Sequence, residues 1–101
     1  MLNPDILRPE IASTLQNSGA AVERILFGCP NPESTNWKLG MDFRHRVGIG
    51  IVTVWQSGGC CDIDFLPEGN QDGIALHGEF DTDAELREFV TFSLASLHIH
   101  A

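Results

Sequence analysis

The stretch VGIGIVTVWQSGGCCDIDFL, residues 47–66, decides the fold. Its first nine residues, Val47 to Trp55, are rich in β-branched side chains, which pack well on a pleated surface. Ser57-Gly58-Gly59 then breaks the run with residues that favour a tight turn. Beyond the turn, Cys61, Ile63 and Phe65 alternate with Asp62 and Asp64. A period of two places those sets on opposite faces of a strand, so the whole stretch predicts a β-hairpin with one apolar and one acidic side.

Working outward, the same period continues on both sides. Trp37, Leu39, Met41 and Phe43 alternate with Lys38, Gly40, Asp42 and Arg44, which predicts a half-buried antiparallel strand. Pro67 to Gly73 (PEGNQDG) is a turn cluster. After it, Ile74, Leu76 and Phe80 share one side of a strand, with His77 and Glu79 on the other. Upstream, residues 28–36 (GCPNPESTN) read as a loop, and Ala20 to Phe27 as a further strand.

Helices flank the strands. Thr82-x-x-Glu85 is a capping box, Asp83 and Glu85 suit the positive end of a helix, and Leu86, Phe89, Val90, Leu94 and Leu97 follow helical spacing. At the other end, Pro9 fits a first helical position, and Asn17-Ser18-Gly19 is a stop signal, so a helix is predicted over Pro9 to Ser18. Strands joined by short turns with helices segregated to the ends define an α+β two-layer sandwich. Its expected sheet is an antiparallel meander of four to five strands, with an N-terminal and a C-terminal helix, in one domain over residues 1–101. A chain of 101 residues buries enough surface for one such core and no second.

Charge narrows the function. Six Lys and Arg stand against fourteen Asp and Glu, a formal net charge of −8. That balance argues against nucleic acid phosphates and anionic lipid as partners, because both are met by a basic surface. The imbalance is local. Residues 1–61 hold five basic and five acidic side chains, whereas residues 62–101 hold nine acids and only Arg87. The N-terminus lacks a basic stretch followed by an apolar core, and no window holds 18 uninterrupted apolar residues, so a cytoplasmic protein is expected. Cys29, Cys60 and Cys61 are odd in number and read as reduced thiols.

Chemistry-bearing residues are sparse. His98-x-His100, His77, Cys60 and Cys61 offer metal-ligand atoms, but no Cys-x-x-Cys, His-x-x-x-His or Glu-x-x-His spacing groups them; no metal or other cofactor is expected, and His98 to His100 read as a frayed tail. Cys60 with Asp62, and His77 with Glu79, are i, i+2 pairs that share a strand face without defining a nucleophile and its base. Gly48-Ile49-Gly50 lies inside a strand and lacks the helix start of a phosphate loop. The expected site is therefore a binding surface. Asp62, Asp64, His77 and Glu79 on the outward face, with Glu68 and Asp72 in the adjoining turn, form an acidic patch suited to Arg and Lys of a partner. Trp37 and Trp55 are assigned to the core, a partly exposed Trp at such an edge being the alternative, as an anchor for a partner.

The run from Trp37 to Val90 resembles the TriTu-type immunity proteins of bacterial polymorphic (Rhs-type) toxin systems. The resemblance rests on Thr53-Val54-Trp55 closing one strand, the Gly58-Gly59 turn, Asp62-Ile63-Asp64 in the next strand, and Glu79 to Leu86 (EFDTDAEL) leading into the last helix. It implies a non-enzymatic protein that neutralises a cognate toxin, an ADP-ribosyltransferase acting on elongation factor Tu, by direct binding in the cytoplasm. The resemblance carries over no catalytic residue and no small-molecule substrate. Two other classes remain: an adaptor or chaperone-like module for a secreted effector, which shares these features, and a small enzyme, which would need convergent His, Cys and Asp side chains in a concave pocket rather than on an open sheet.

Overall fold

A computed structural model describes residues 1–29 and 36–101; residues 30–35, most of the loop read at 28–36, lie outside the described residues. Helix α1 spans Pro4–Asn17, and five strands follow: β1 Ala21–Gly28, β2 Lys38–His45, β3 Gly48–Trp55, β4 Cys60–Pro67 and β5 Ile74–Glu79. A single 3-10 turn, Ser57–Gly59, joins β3 to β4, and helix α2, Asp83–Ser96, closes the chain. The strands lie in the sheet in chain order, each antiparallel to the next. This is the α+β meander, with five strands. Among the described residues, no helix is long and apolar enough to cross a membrane.

Both helices cover one face of the sheet, α1 over β1 and β2 and α2 over β4 and β5. They lie side by side with their N-terminal ends together: the Asn3 N–H donates to Asp83 Oδ1 at 2.8 Å, and one turn further Arg87 Nη1 meets Glu10 Oε1 at 3.1 Å. Between helices and sheet, Leu7, Ile11, Leu15, Leu86, Val90 and Leu94 pack against Leu39, Met41, Phe43, Val52, Ile63 and Phe65, all buried. The alternation read along β2 and β4 therefore decides which side meets the helices, as expected from period-two patterning.

Three local expectations need correction. Helix α1 begins at Pro4, not at Pro9: the Asn3 side chain accepts from the Asp5 N–H at 3.0 Å, and Pro4 takes the first-turn position. The helix runs through Pro9 because Leu7, upstream of that proline, is fully buried against the sheet. Burial of that side chain outweighs one missing backbone hydrogen bond. Gly19, at φ 82°, then ends the helix, with Ala20 N–H donating to Leu15 O at 2.9 Å. Ile74, expected in the core, sits at the start of edge strand β5 and is 42% exposed.

The C-terminal residues are the third correction. His98 adopts φ 60°, Ile99 N–H donates to Leu94 O at 2.9 Å, and the Ile99 side chain is buried. The carbonyl of His100 accepts from Arg46 Nη1 at 3.0 Å and from Nε2 of the buried His45 at 2.9 Å. His45 Nδ1 accepts from the Val47 N–H, so this ring is the tautomer protonated on Nε2. The segment after α2 is thus a pinned strap across the β2–β3 turn, and no frayed end.

Gly50 is required by close packing. A Cβ there would stand 2.5 Å from Phe43 Cζ and 2.8 Å from Asp64 O. Gly50→Ala is expected to destabilise by about 1–3 kcal/mol, the usual range for overpacking. Urea denaturation reads this directly, and in a Phe43→Leu background, where the ring is gone, the loss should shrink. An equal loss in both backgrounds would place the obstruction at the Asp64 carbonyl alone.

Candidate functional site

Neither helix covers the second face of the sheet, and the outward residues of all five strands line it. Cross-strand register sets their rows. Lys38, Trp55, Cys60 and Glu79 form one row, and Gly40, Thr53, Asp62 and His77 the next. Asp42, Ile51, Asp64 and Ala75 form a third, with Arg24 opposite Asp42.

Along β1 and β2 the charges are mutually paired. Arg24 Nε contacts Asp42 Oδ2 at 3.0 Å, and Arg44 Nε contacts Glu23 Oε1 at 3.2 Å. Glu23 reaches Arg44 from an irregularity in β1, where the register shifts between Val22 and Arg24. Exposed pairs of this kind add little stability, but they cancel charge locally. Lys38 Nζ lies over the Trp55 ring, 4.5 Å from its centroid. Trp55 therefore belongs to the open face, in contrast to the buried Trp37.

The middle of the face is apolar and concave. Ile49, Ile51, Leu66 and Ala75, with Asp42 and Asp64, line a groove of about 640 Å³. A second hollow of about 400 Å³ between Leu26, Lys38, Ile51 and Trp55 continues it toward β1.

The β4–β5 side is acidic. Asp62, Asp64 and Glu79 project there, and His77 is the sole titratable base among them. Its Nδ1 is hydrogen-bonded to Asp62 Oδ1 across the strand pair, and its Nε2 lies 3.8 Å from Glu79 Oε1. The hydrogen bond to Asp62, with the charges of Asp62 and Glu79, raises the His77 pKa above its ordinary value and so favours the imidazolium. The Cys60 thiol donates toward Glu79 Oε1 at 4.0 Å, and desolvation together with Glu79 and Asp62 pushes its pKa up. Burial holds Cys61 at about 12, so that thiol, facing the core, stays protonated.

Four of the six residues expected in the acidic patch are therefore assembled on one face: Asp62, Asp64, His77 and Glu79. Glu68 and Asp72 are exposed in the β4–β5 turn, off the end of that block, with the Glu68 N–H donating to Val47 O at 2.8 Å. The acidic excess of residues 62–101 does not form one surface. Asp81 precedes α2, Asp83 accepts from the N–H of Asn3 just before α1, Glu85 accepts from the Thr82 hydroxyl at 2.9 Å, and Glu88 is exposed on α2. Those four acids occupy the helical layer.

Sequence reasoning missed the apolar groove, the paired charges beside it, and the gathering of Cys60 with His77 and Glu79. The atoms Cys60 Sγ, His77 N and Glu79 Oε of this trio all lie within 4.8 Å of one another. Alternation places Cys60 with Asp62 and His77 with Glu79, yet which strand faces which is a property of register. In comparison with known proteins, this chain matches no family model, no curated protein and no solved structure.

Proposed function

We propose that this chain is an immunity protein that binds and neutralises a cognate antibacterial toxin, an ADP-ribosyltransferase acting on elongation factor Tu, in the cytoplasm of the producing cell. One observation carries the reading. The sheet face free of helices has an apolar concave centre and an unbalanced acidic edge, Asp62, Asp64 and Glu79, while the cations on its other edge are engaged by Asp42, Glu23 and Trp55. Such a face fits a basic surface on another protein, because complementary charge steers encounter and an apolar centre supplies the desolvated anchor. A stable complex buries about 1,600 Å² in total, of which a domain this size supplies half from one sheet face and its turns. The resemblance of Trp37–Val90 to TriTu-type immunity proteins names the toxin class.

Co-expression with the product of the gene immediately upstream, which this reading expects to be the toxin, tests this. Growth is expected to be rescued, the two chains to co-elute in gel filtration, and ADP-ribosylation of elongation factor Tu to fall when the purified chain is added. Binding that leaves the transferase active would assign the chain to the adaptor class. Absence of any complex would remove the immunity reading.

A further inference from the structure

We infer that Cys60, His77 and Glu79 form a binding site for a divalent cation of the zinc type, with Asp62 as the group that positions the imidazole. The inference concerns the isolated chain and stands apart from the toxin reading. It starts from register: Cys60 lies directly opposite Glu79, and Asp62 directly opposite His77, so two neighbouring strands present a four-residue block on the open face. Within it His77 Nε2 is 3.8 Å and Cys60 Sγ 4.0 Å from Glu79 Oε1. Ligand atoms around tetrahedral zinc are about 3.3–3.7 Å apart, given Zn–S, Zn–N and Zn–O bonds of about 2.0–2.3 Å. The two contacts to Glu79 are within a few tenths of an ångström of that spacing, and all three ligand atoms lie within 4.8 Å of one another. Side-chain rotations that move the ligand atoms by up to about an ångström therefore close the set, and these side chains are free to make them because they are partly or fully exposed.

The donor set chooses the metal. One thiolate sulphur, one imidazole nitrogen and one carboxylate oxygen suit zinc, whereas magnesium and calcium prefer all-oxygen sites. Asp62 supplies the outer partner that zinc-bound histidines usually have. By taking Nδ1 it leaves Nε2 directed toward Glu79. The surrounding field favours a cation as well, since Asp62, Asp64 and Glu79 cluster there and Arg24 and Arg44 are engaged elsewhere. On binding, the metal–sulphur bond replaces S–H and the Cys60 proton leaves to solvent, as does the Nε2 proton of any protonated His77. Three protein ligands leave the fourth position open toward solvent or a partner.

The same atoms also resemble a Cys–His–Asp nucleophile, with Asp62 orienting His77. Glu79 argues against that use. A carboxylate beside the sulphur opposes a free thiolate, whereas a bound dication stabilises one.

The test uses the reduced, chelator-treated full chain titrated with Co²⁺ and then with Zn²⁺. Cobalt should give a near-ultraviolet thiolate-to-metal charge-transfer band and visible bands of tetrahedral intensity, both displaced by zinc. Cys60→Ser should abolish the charge-transfer band, and His77→Ala and Glu79→Gln should each weaken zinc binding. Asp62→Asn should weaken it about 10- to 100-fold while leaving the band in place, the signature of an outer partner. Cys29→Ser and the His98→Ala/His100→Ala pair should change nothing. Circular dichroism checks that each variant keeps its fold. The inference is overturned if no charge-transfer band appears, if it survives Cys60→Ser, or if zinc affinity is indifferent to both His77→Ala and Glu79→Gln. Alkylation of Cys60 by iodoacetamide faster than that of Cys29 and dependent on His77 would likewise overturn it, by assigning the trio to nucleophilic chemistry.

Discussion

Phe43→Ala is expected to lower stability by about 3–5 kcal/mol, the range for removing a buried aromatic ring. The Phe43 ring is 1% exposed and lies over Gly50. It stacks on Phe65 with centroids 6.2 Å apart and planes 7° apart. One ring thus ties β2 to β3 and β4 beneath the helices. Its loss forfeits the transfer free energy of the ring and leaves a cavity. Gly50, held by strand pairing on both sides, has no side chain to fill that space. Domains of this size are stable by only about 5–15 kcal/mol, so the variant should sit near its unfolding threshold. The denaturation midpoint in urea measures this. A shift corresponding to less than about 1 kcal/mol would mean that the surrounding core collapses into the gap, which the close packing at Gly50 argues against.

The second large effect concerns the open face. Asp62→Lys together with Asp64→Lys changes the local charge by four units on the acidic edge. Association with the proposed toxin should slow by about 10- to 100-fold at low salt, and the difference should narrow as ionic strength rises, because steering is screened beyond a Debye length. Stopped-flow or surface-based kinetics would read it. The matched control is Asp81→Lys with Glu88→Lys, which makes the same charge change in the helical layer. If both pairs slow association equally, only net charge matters and the open face is not the interface. If neither does, electrostatic steering is not part of recognition. Chemical denaturation of both variants separates these outcomes from unfolding, since all four side chains project from the surface layer.

Much of the architecture is legible in particular residues. Cys61, Ile63 and Phe65 against Asp62 and Asp64 set the two faces of β4 without help from any neighbour. Thr82 and Glu85 start α2 at Asp83 through a hydrogen bond that needs only local geometry. Where local and tertiary terms compete, the reading fails in a consistent direction. Pro9 looks like a helix start, but burial of Leu7 extends the helix back to Pro4. Trp55 looks like core, yet its parity on β3 places it on the uncovered side, against Lys38. Ile74 has the right parity for the core but too little cover, because it opens an edge strand. His98 to Ala101 carry no propensity signal for order. They are held by Ile99 in the core and by His45 and Arg46 at the His100 carbonyl, contacts made across more than fifty residues of chain.

The candidate site divides in the same way. Side-chain alternation is a property of each strand alone, so Asp62 and Asp64, or His77 and Glu79, share a side whatever the rest of the chain does. That much the sequence by itself determined, together with the α+β class and the acidic bias of the last forty residues. Which side chains meet was decided only by tertiary structure, because register depends on how the β4–β5 turn closes and a slip of one residue would exchange the faces. The observed register sets Cys60 opposite Glu79 and His77 opposite Asp62. Helix packing on one face then leaves that block exposed beside an apolar groove, and sends four of the nine C-terminal acids to the helical layer. Composition counts charges, but only burial and pairing assign them to a surface.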